Sequence, residues 1–384
     1  MKTAHFFLLL TTFASALSLA QTNPVPFVNQ PIVPSTAAPG TLVTSPRIRT
    51  ATETPSVSGP VSPLNFAPAV VYDSGAYHPT SVAVADLNGD GKADLVIAND
   101  CINNDYSHCP QGIVSVLLGA GDGTFQAAVS YDAGGVDPLS VVVADVNGDG
   151  KPDLILSNQC PQPNGCTPDS TVSVLFGNGD GTFQTAMSFD SGGLLAQAVA
   201  VADVNGDGKP DLIVADQCNS TQNCALDGVV GVLLGNGGGT FQNVVTYDAG
   251  GIGTFWLAVA DVNGDGKPDI VLANWCGTSG CGNPGPVTVL LGNGDGTFQT
   301  AVAYSSGGYQ PDSVAVADLN GDGKPDIVVA NFCGSVANCD NVLSTVGVLL
   351  GNGDGTFQPA LIYSSRRRTD HASRGGGRER RRKT

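Results

Sequence analysis

Charged residues are scarce in this chain, and glutamate is almost missing from it. Only 13% of the 384 residues are Asp, Glu, Lys or Arg, and the only glutamates are Glu53 and Glu379. Glutamate is a good helix former, so its near absence argues against long helices. Glycine, with 51 copies, far exceeds ordinary usage and suits short strands joined by tight turns. The composition predicts an all-β protein.

Histidine is also rare, which limits the chemistry the chain can perform. Of the four histidines, His5 lies in an apolar N-terminal segment and His371 in the C-terminal tail. Only His78 and His108 remain, and no serine-elbow or zinc-helix motif occurs. Since catalysis needs a perturbed acid, base or nucleophile in a cleft, we predict that the chain is not an enzyme.

The charge comes almost entirely from aspartate. The whole chain has 17 basic and 34 acidic residues, a net charge of −17. Nine of the basic residues lie in the tail 366–384, so residues 1–365 hold eight basic and 32 acidic residues, a net charge of −24. Such a body repels nucleic acid and anionic membranes and attracts cations. We therefore expect no nucleic-acid partner and no membrane insertion.

The N-terminus has the pattern of a secretory signal. Lys2 precedes a short apolar run, Phe6–Leu19, and small residues at Ser18 and Ala20 suit cleavage. The alternative is a buried strand or an anchor. We predict a signal peptide at 1–20 and a secreted or cell-surface protein. Residues 21–63, rich in Pro, Ser and Thr, are predicted to be a disordered linker.

From residue 64 to 365 the chain repeats itself five times. The phrase Ala-Asp-(Leu/Val)-Asn-Gly-Asp-Gly-Lys recurs with spacings of 59, 58, 58 and 57 residues, beginning with Asp86 as its first aspartate. A second phrase, Gly-Xaa-Gly-Xaa-Gly-Thr-Phe-Gln, keeps the same period and first ends at Gln126. Periods of this length are typical of propeller blades, solenoid turns or arrays.

Each period contains four strand signals, which predict one four-stranded antiparallel blade of a β-propeller. In the first period they are Ser81–Asp86, Asp94–Ala98, Val114–Leu118 and Phe125–Tyr131. A parallel solenoid is the alternative, although solenoid repeats are usually shorter. Five repeats are visible, and the chain is either a closed five-bladed ring or part of a truncated larger propeller.

Two terminal segments do not fit five complete blades. Phe66–Tyr72 resembles a fourth strand but has no blade of its own. The basic tail 366–384 abandons the repeat and is predicted to be disordered. It is either a frameshifted or read-through end or a basic arm for anions.

Each repeat carries the pattern Asp-Xaa-Asn-Xaa-Asp-Gly-Xaa-Xaa-Asp. Alternate positions of a tight loop direct oxygens inward, and Ca²⁺ prefers six to eight oxygen ligands. The twelfth position, Ile97 in the first repeat, is not the glutamate that an EF-hand requires. The alternative is a metal-free Asx-turn. The predicted ligands, with the lysines contributing backbone carbonyls, are Asp86, Asn88, Asp90, Lys92, Asp94, Asp145, Asn147, Asp149, Lys151, Asp153, Asp203, Asn205, Asp207, Lys209, Asp211, Asp261, Asn263, Asp265, Lys267, Asp269, Asp318, Asn320, Asp322, Lys324 and Asp326.

Together these phrases resemble the FG-GAP/VCBS-type repeat family, whose best-known members include the integrin α-chain head. The resemblance covers about residues 66–363 and implies a β-propeller with one Ca²⁺ in the first hairpin loop of each blade. It also implies a role in adhesion or ligand binding. Two departures stand out: Gly238 replaces an aspartate of the second phrase, and five repeats are present where the family usually has seven.

The ten cysteines follow the repeat, with one pair in the loop between the second and third strands of each blade. In an exported protein such pairs are read as disulfides. A metal site is the alternative, but two cysteines without a nearby histidine do not supply four soft ligands. The predicted pairs are Cys101–Cys109, Cys160–Cys166, Cys218–Cys224, Cys276–Cys281 and Cys333–Cys339.

The predicted topology gives the blades two different ends. The calcium loops and the Gly-rich turns share one end, whereas the cysteine loops and the connections between blades share the other. The cysteine end varies between repeats and carries aromatic residues that suit a protein or glycan ligand, unless they only cover the ends of the blades. The candidate ligand-binding residues are Tyr77, His78, His108, Phe255, Trp275, Tyr309 and Phe332.

Three functions remain open from the sequence. The first is an extracellular recognition or adhesion module for protein or carbohydrate. The second is a propeller that is part of, or is itself, an enzyme that cleaves polysaccharides or phosphoesters. The third is a structural segment of a larger surface protein.

Overall fold

The fold consists of strands and turns throughout the described residues. The computed structural model describes residues 68–103, 110–160, 170–219, 228–278, 280, 284–334 and 344–364. Within these ranges there is no helix, and hence none that would have the length and apolarity to cross a membrane. The predicted signal peptide, the linker at 21–63 and the tail at 366–384 lie outside these ranges.

In the described part of the chain, twenty-two strands form five four-stranded sheets, which we call blades one to five, and one small hairpin. Blade one is β1–β4, blade two β5–β8, blade three β9, β10, β11 and β14, blade four β15–β18, and blade five β19–β22. The strands are β1 (Tyr77–Ala85), β2 (Asp94–Cys101), β3 (Ile113–Leu117), β4 (Val129–Asp132), β5 (Val136–Ala144), β6 (Asp153–Cys160), β7 (Thr171–Leu175), β8 (Met187–Asp190), β9 (Leu194–Ala202), β10 (Asp211–Cys218), β11 (Val229–Leu233), β12 (Gly235–Gly237), β13 (Thr240–Phe241), β14 (Val245–Asp248), β15 (Ile252–Ala260), β16 (Asp269–Cys276), β17 (Pro286–Leu290), β18 (Val302–Ser305), β19 (Tyr309–Ala317), β20 (Asp326–Cys333), β21 (Thr345–Leu349) and β22 (Leu361–Ser364).

The blades are antiparallel meanders, in which each strand pairs with the next one along the chain. In blade one, β1 pairs with β2, β2 with β3, and β3 with β4, all antiparallel. The other four blades repeat this order. The prediction of repeated four-stranded antiparallel sheets is confirmed, and the antiparallel pairing contradicts the parallel solenoid.

The second strand runs three residues beyond its predicted end, to Cys101, and the largest differences from the predicted boundaries are at the starts of the first and fourth strands. The first strand begins at Tyr77, four residues before the predicted start. The fourth strand begins at Val129, because Phe125 leaves the sheet to form an isolated bridge with Gly119 at the Gly-rich turn. In blade three the same turn closes more tightly and becomes the hairpin β12–β13.

The hydrophobic core lies between the blades. In blades two to four the second and third strands are largely apolar on both faces and almost completely buried, as in Asp211–Cys218 and Val229–Leu233. The second strand of each blade contacts the first strand of the next blade, and successive first strands contact each other. Four apolar clusters result, one at each junction between successive blades. Each fully buried Leu or Ile in them stabilises the fold by about 1.5–3 kcal/mol.

Candidate metal centre

The first aspartate of each calcium-type loop organises the loop by accepting backbone N–H groups. Asp86 Oδ1 accepts hydrogen bonds from the amides of Gly89 at 2.8 Å and Asp90 at 3.2 Å, and its Oδ2 accepts one from Gly91 at 2.8 Å. Gly89 and Gly91 have φ angles of 73° and 78°, which favour glycine. The same three bonds recur at Asp145, Asp203, Asp261 and Asp318.

The third and fifth loop positions are oxygen donors near the surface. Asn88 Oδ1 accepts the Asp90 amide at 3.0 Å, and Asp90 Oδ1 accepts the Lys92 amide at 3.0 Å. The Lys92 ammonium lies 3.0 Å from Asp90 Oδ2, and this hydrogen bond lowers the pKa of Asp90 below its usual value. Blades two to four repeat the ion pair, in which the lysine nitrogen lies 3.5–3.8 Å from the carboxylate oxygen. In blades one to four the aspartate at the fifth loop position therefore already attracts one positive charge, the lysine ammonium.

The ninth loop position has a structural role that the sequence did not reveal. Asp94 is fully buried; its Oδ2 accepts the Leu87 amide at 2.9 Å and its Oδ1 accepts the Gly119 amide at 2.7 Å. One carboxylate thus joins the calcium-type loop to the Gly-rich turn after the third strand. Burial is the main reason why the pKa of the equivalent Asp153 and Asp269 is raised to about 6. The arrangement recurs at Asp153, Asp211, Asp269 and Asp326.

The donor chemistry of the loop fits a hard cation, although the carboxylates do not converge fully. Within the described ranges, no three acidic, histidine or cysteine side chains lie close enough together to hold a metal ion. The donors of the loop are oxygens: two carboxylates near the surface, one amide and the predicted lysine carbonyl, with the buried carboxylate behind them. Calcium accepts this set of ligands. That these residues bind calcium stays a prediction.

The Gly-rich turn adjoins the loop and differs in blade three. In the other blades an aspartate Oδ1 accepts both the amide and the hydroxyl of the threonine two residues later, at 2.5–3.0 Å. Gly238 removes this acceptor, and the Thr240 hydroxyl instead makes a 3.4 Å bond to the Gly237 carbonyl. The aspartates are Asp122, Asp180, Asp295 and Asp354.

Replacing Gly238 with aspartate restores an acceptor for Thr240, but the φ of 66° at this position is one that the aspartates of the other turns do not have. The variant is therefore expected to be about 1 kcal/mol more stable than Gly238→Ala and no more stable than the parent. Guanidinium unfolding of the variant and the parent measures the difference. Gly238→Ala, unfolded in the same way, is the matched control, because it has the same unfavourable φ of 66° but lacks the acceptor. An aspartate variant no more stable than the alanine variant contradicts this prediction.

The described members of the predicted aromatic set lie at the opposite end of the blades. The Phe255 and Trp275 rings meet edge to face with centroids 4.7 Å apart, and the centroid of the Tyr77 ring lies 6.3 Å from that of His78. Tyr77 and Phe332 are exposed, whereas Tyr309 is half-buried. His108 lies outside the described residues. The structure therefore places these residues at one end of several blades, but it does not gather them into one pocket.

The first cysteine of each pair ends the second strand of its blade and is buried. None of the cysteines in the described part of the chain is a free thiol. Their predicted partners, Cys109, Cys166, Cys224, Cys281 and Cys339, lie outside the described residues, so the pairing scheme stays a prediction. The buried cysteines are Cys101, Cys160, Cys218, Cys276 and Cys333.

A carboxyl pair at this end was missed by the sequence analysis. Asp137, the second residue of β5, is hydrogen-bonded to Asp100 of the preceding blade. Its φ is 54°, and the equivalent residues His78, Leu195 and Gln310 are also left-handed. Burial, followed by the bond to Asp100 and its charge, raises the pKa of Asp137 to about 7. No sequence signal pairs these residues, because they meet only when blade two packs on blade one.

The Asp100–Asp137 pair is expected to make stability fall as the pH rises from about 4 to about 7. The folded pKa of Asp137 lies above its unfolded value, so the folded state binds more protons in this range and loses that advantage as the pH rises. Solvent screening reduces the effect to about 1–2 kcal/mol. Urea unfolding at pH 5 and pH 8 measures it.

In Asp137→Asn this part of the pH dependence should disappear, and asparagine tolerates the left-handed backbone. Leu195→Asn, at the equivalent position of blade three, is the matched control and should keep the parental pH dependence. If the free energy of unfolding changes with pH in the same way in Asp137→Asn and in the parent, Asp137 does not bind the extra proton in the folded state.

The repeat matches a known protein family. The family model of the FG-GAP-like repeat matches residues 86–156, 165–214, 223–272 and 277–329, more than half of the chain. Every matched segment ends inside the second strand of a blade, at the same point of the period. The first segment begins at the first aspartate of the metal-type loop in blade one.

Two curated relatives are phosphatidylinositol-glycan-specific phospholipases D. The Bos taurus protein is 29% identical and the Homo sapiens protein 30% identical over an alignment of 147 residues that covers 34% of this chain. The match spans only 18% of the length of either relative.

Solved structures similar to this chain include two glycoside hydrolases. A GH43 β-xylosidase/α-arabinofuranosidase from a compost microbial metagenome has a TM-score of 0.37 and 13% identity, covering 75% of this chain and 95% of its own. A GH43_1 enzyme from Xanthomonas citri has a TM-score of 0.37 and 14% identity, covering 75% and 91%. At these TM-scores the likeness identifies neither fold nor activity.

Proposed function

This chain belongs to the FG-GAP-like repeat family, and on that premise we propose that it is a secreted, calcium-binding recognition module for an extracellular protein or carbohydrate. In this proposal its blades are arranged around a common axis as a β-propeller. Calcium fixes the loops at one end, and the cysteine end contacts the ligand.

The observation that carries this proposal is the difference between the two ends of the blades. At the calcium-type end, the same hydrogen bonds recur in all five loops with nearly the same distances. At the cysteine end, the residue at one equivalent position is His78, Asp137, Leu195, Gly253 or Gln310. A constant scaffold that presents variable loops is the usual arrangement for recognition.

In each blade, calcium would be held by the first, third and fifth side chains of the loop, such as Asp86, Asn88 and Asp90, together with the Lys92 carbonyl. Asp94 would support the loop from below through its bonds to Leu87 and Gly119. The ion would offset part of the net charge of −24 on residues 1–365. Extracellular calcium modules have dissociation constants of about 10⁻⁴–10⁻³ M, and we expect the same range here.

An array of glycans and extracellular proteins, probed with the purified chain in calcium and in chelator, tests the recognition function. We expect binding to a defined class of ligand in calcium and its loss in chelator. Tyr77→Ser and Phe332→Ser should weaken binding, because both side chains are exposed at the cysteine end. Val129→Thr, on an exposed outer strand, should leave binding unchanged. Equal loss in all three variants contradicts recognition through the cysteine end.

A second candidate function is hydrolysis of a polysaccharide or phosphoester. The observation that favours it is the Asp100–Asp137 pair, since a carboxyl group whose pKa is raised beside a second carboxyl group can act as a general acid. Turnover of a labelled polymer that is lost in Asp137→Asn but kept in Leu195→Asn supports this function and overturns the non-enzyme prediction. The third possibility, a structural segment of a larger surface protein, predicts neither binding nor turnover.

A further inference from the structure

The two ends of the blade series expose complementary halves of one apolar core. At each internal junction, residues of one blade pack against the first two strands of the next blade. Within the described residues, no blade covers the corresponding leading face of blade one (Val82, Val84, Leu95 and Ile97), and Val82 is 52% exposed. Its equivalents in the other four blades, Val141, Val199, Leu257 and Val314, are all buried.

The trailing face of blade five consists of Leu319, Val328, Val346 and Val348. Val346 is 37% exposed, although its counterparts in the earlier blades are fully buried. These counterparts are Val114, Val172, Val230 and Val287. The trailing face of blade five therefore consists of residues equivalent to those that cover the next blade's leading face at every internal junction.

The segment before β1 occupies the place of a fourth strand without belonging to a blade. The Tyr72 ring lies edge to face on Phe125, with centroids 5.4 Å apart, and its hydroxyl donates to the Gly123 carbonyl at 3.4 Å. At each internal junction the same contact joins a fourth strand to the following blade, with centroids 5.1–5.7 Å apart. Val70 and Val71 are 70% and 92% exposed, and no strand is formed there.

Blade five contributes a competing fourth strand. All four residues of β22 are exposed, and Tyr363 is 57% exposed, whereas the equivalent rings in blades one to four are half-buried. If the trailing face of blade five covered a leading face, Tyr363 and Tyr72 would require the same position on Phe125. Either the segment that contains Tyr72 or β22, which contains Tyr363, can then be the fourth strand of blade five, but not both.

We propose that the trailing face of blade five docks on the leading face of blade one in a second copy of this chain. Val70–Asp73 of the second copy then pairs with β21 in place of β22. The occupant is a second copy because within one chain neither end face covers the other: Val82 stays 52% exposed and Val346 37% exposed. The interface is heterologous, so it builds larger rings or filaments, and the added strand is a case of β-augmentation.

The register of β21 defines a cross-linking test. Val348 pairs with Leu361 of β22, and Val70 takes the place of Leu361 after exchange. Full-length chains that carry only Val70→Cys are mixed with chains that carry only Val348→Cys and are oxidised mildly, at about 0.15 M NaCl to screen repulsion between the copies. The expected result is a disulfide-linked dimer on a non-reducing gel, at about ten times the yield of either variant alone.

The matched control mixes Val129→Cys with Val348→Cys, since Val129 is the equivalent exposed residue but already pairs with Val116 of its own blade. Adding Val82→Asp to the Val70→Cys chain should reduce the dimer to the control level, without a folding defect, because Val82 is exposed. Dimer yield no higher than the control overturns the proposal. So does a double variant, Val70→Cys/Val348→Cys, that cross-links only within one chain, because that result means closure of a single ring.

Discussion

Removal of calcium should lower the melting temperature of the purified chain strongly, because five sites contribute to the same folded state. An ion at 10–100 times its dissociation constant stabilises the folded state by about 1.4–2.7 kcal/mol per site. With affinities of about 10⁻⁴–10⁻³ M, about 10 mM calcium reaches this range. If the blades unfold together, the five sites add about 7–14 kcal/mol.

Differential scanning calorimetry in calcium and in chelator measures this effect, and titration calorimetry should give about five ions per chain. Sodium chloride at matched ionic strength is the necessary control, because screening alone stabilises a chain whose body has a net charge of −24. The hypothesis of calcium sites fails if sodium chloride gives the same melting temperature as calcium. It also fails if titration shows no heat of binding.

The period and most of the strands could be predicted from the sequence because they depend on local chemistry. Asp-Gly and Asn-Gly turns mark the loops, and the short apolar runs between them can only be buried strands. The second and third strands of blade one begin at or next to their predicted positions. The predicted start of the fourth strand was wrong because Phe125 is an aromatic residue typical of strands. In the structure Phe125 lies at the Gly-rich turn, and its ring contacts Tyr72 of the segment before the first strand.

Contacts between blades could not be predicted in the same way. Asp137 and Asp100 lie in different repeats, and only the packing of blade two on blade one brings them together and raises the pKa of Asp137. Asp94 could be assigned to the loop, but not its bond to Gly119, because that bond joins two turns that are 25 residues apart. The sequence therefore identifies the aspartates of the repeated loops, whereas their contacts with other turns and other blades depend on the packing of the folded chain.

Replacing the buried aspartate of blade three, Asp211→Ala, is expected to destabilise the chain by about 3–5 kcal/mol even in chelator. Asp211 Oδ2 accepts the Val204 amide at 2.8 Å and Oδ1 accepts the Gly235 amide at 2.7 Å, and the carboxylate is fully buried. Its loss leaves two buried N–H groups without an acceptor, at about 1–3 kcal/mol each, and a small cavity. Urea unfolding at pH 7.5 in chelator measures the change.

Asp207→Ala in the same loop separates metal binding from this structural role. The Asp207 side chain is exposed; its Oδ1 accepts the Lys209 amide at 2.9 Å, and its Oδ2 lies 3.5 Å from the Lys209 ammonium. Its loss should therefore cost less than about 1 kcal/mol in chelator. In calcium the variant should lose one of the five ions and the stabilisation that this ion adds. If both variants lost stability only in calcium, Asp211 would act through the metal alone. A loss in chelator confined to Asp211 means that the ninth aspartate of the loop holds the blade together before any ion binds.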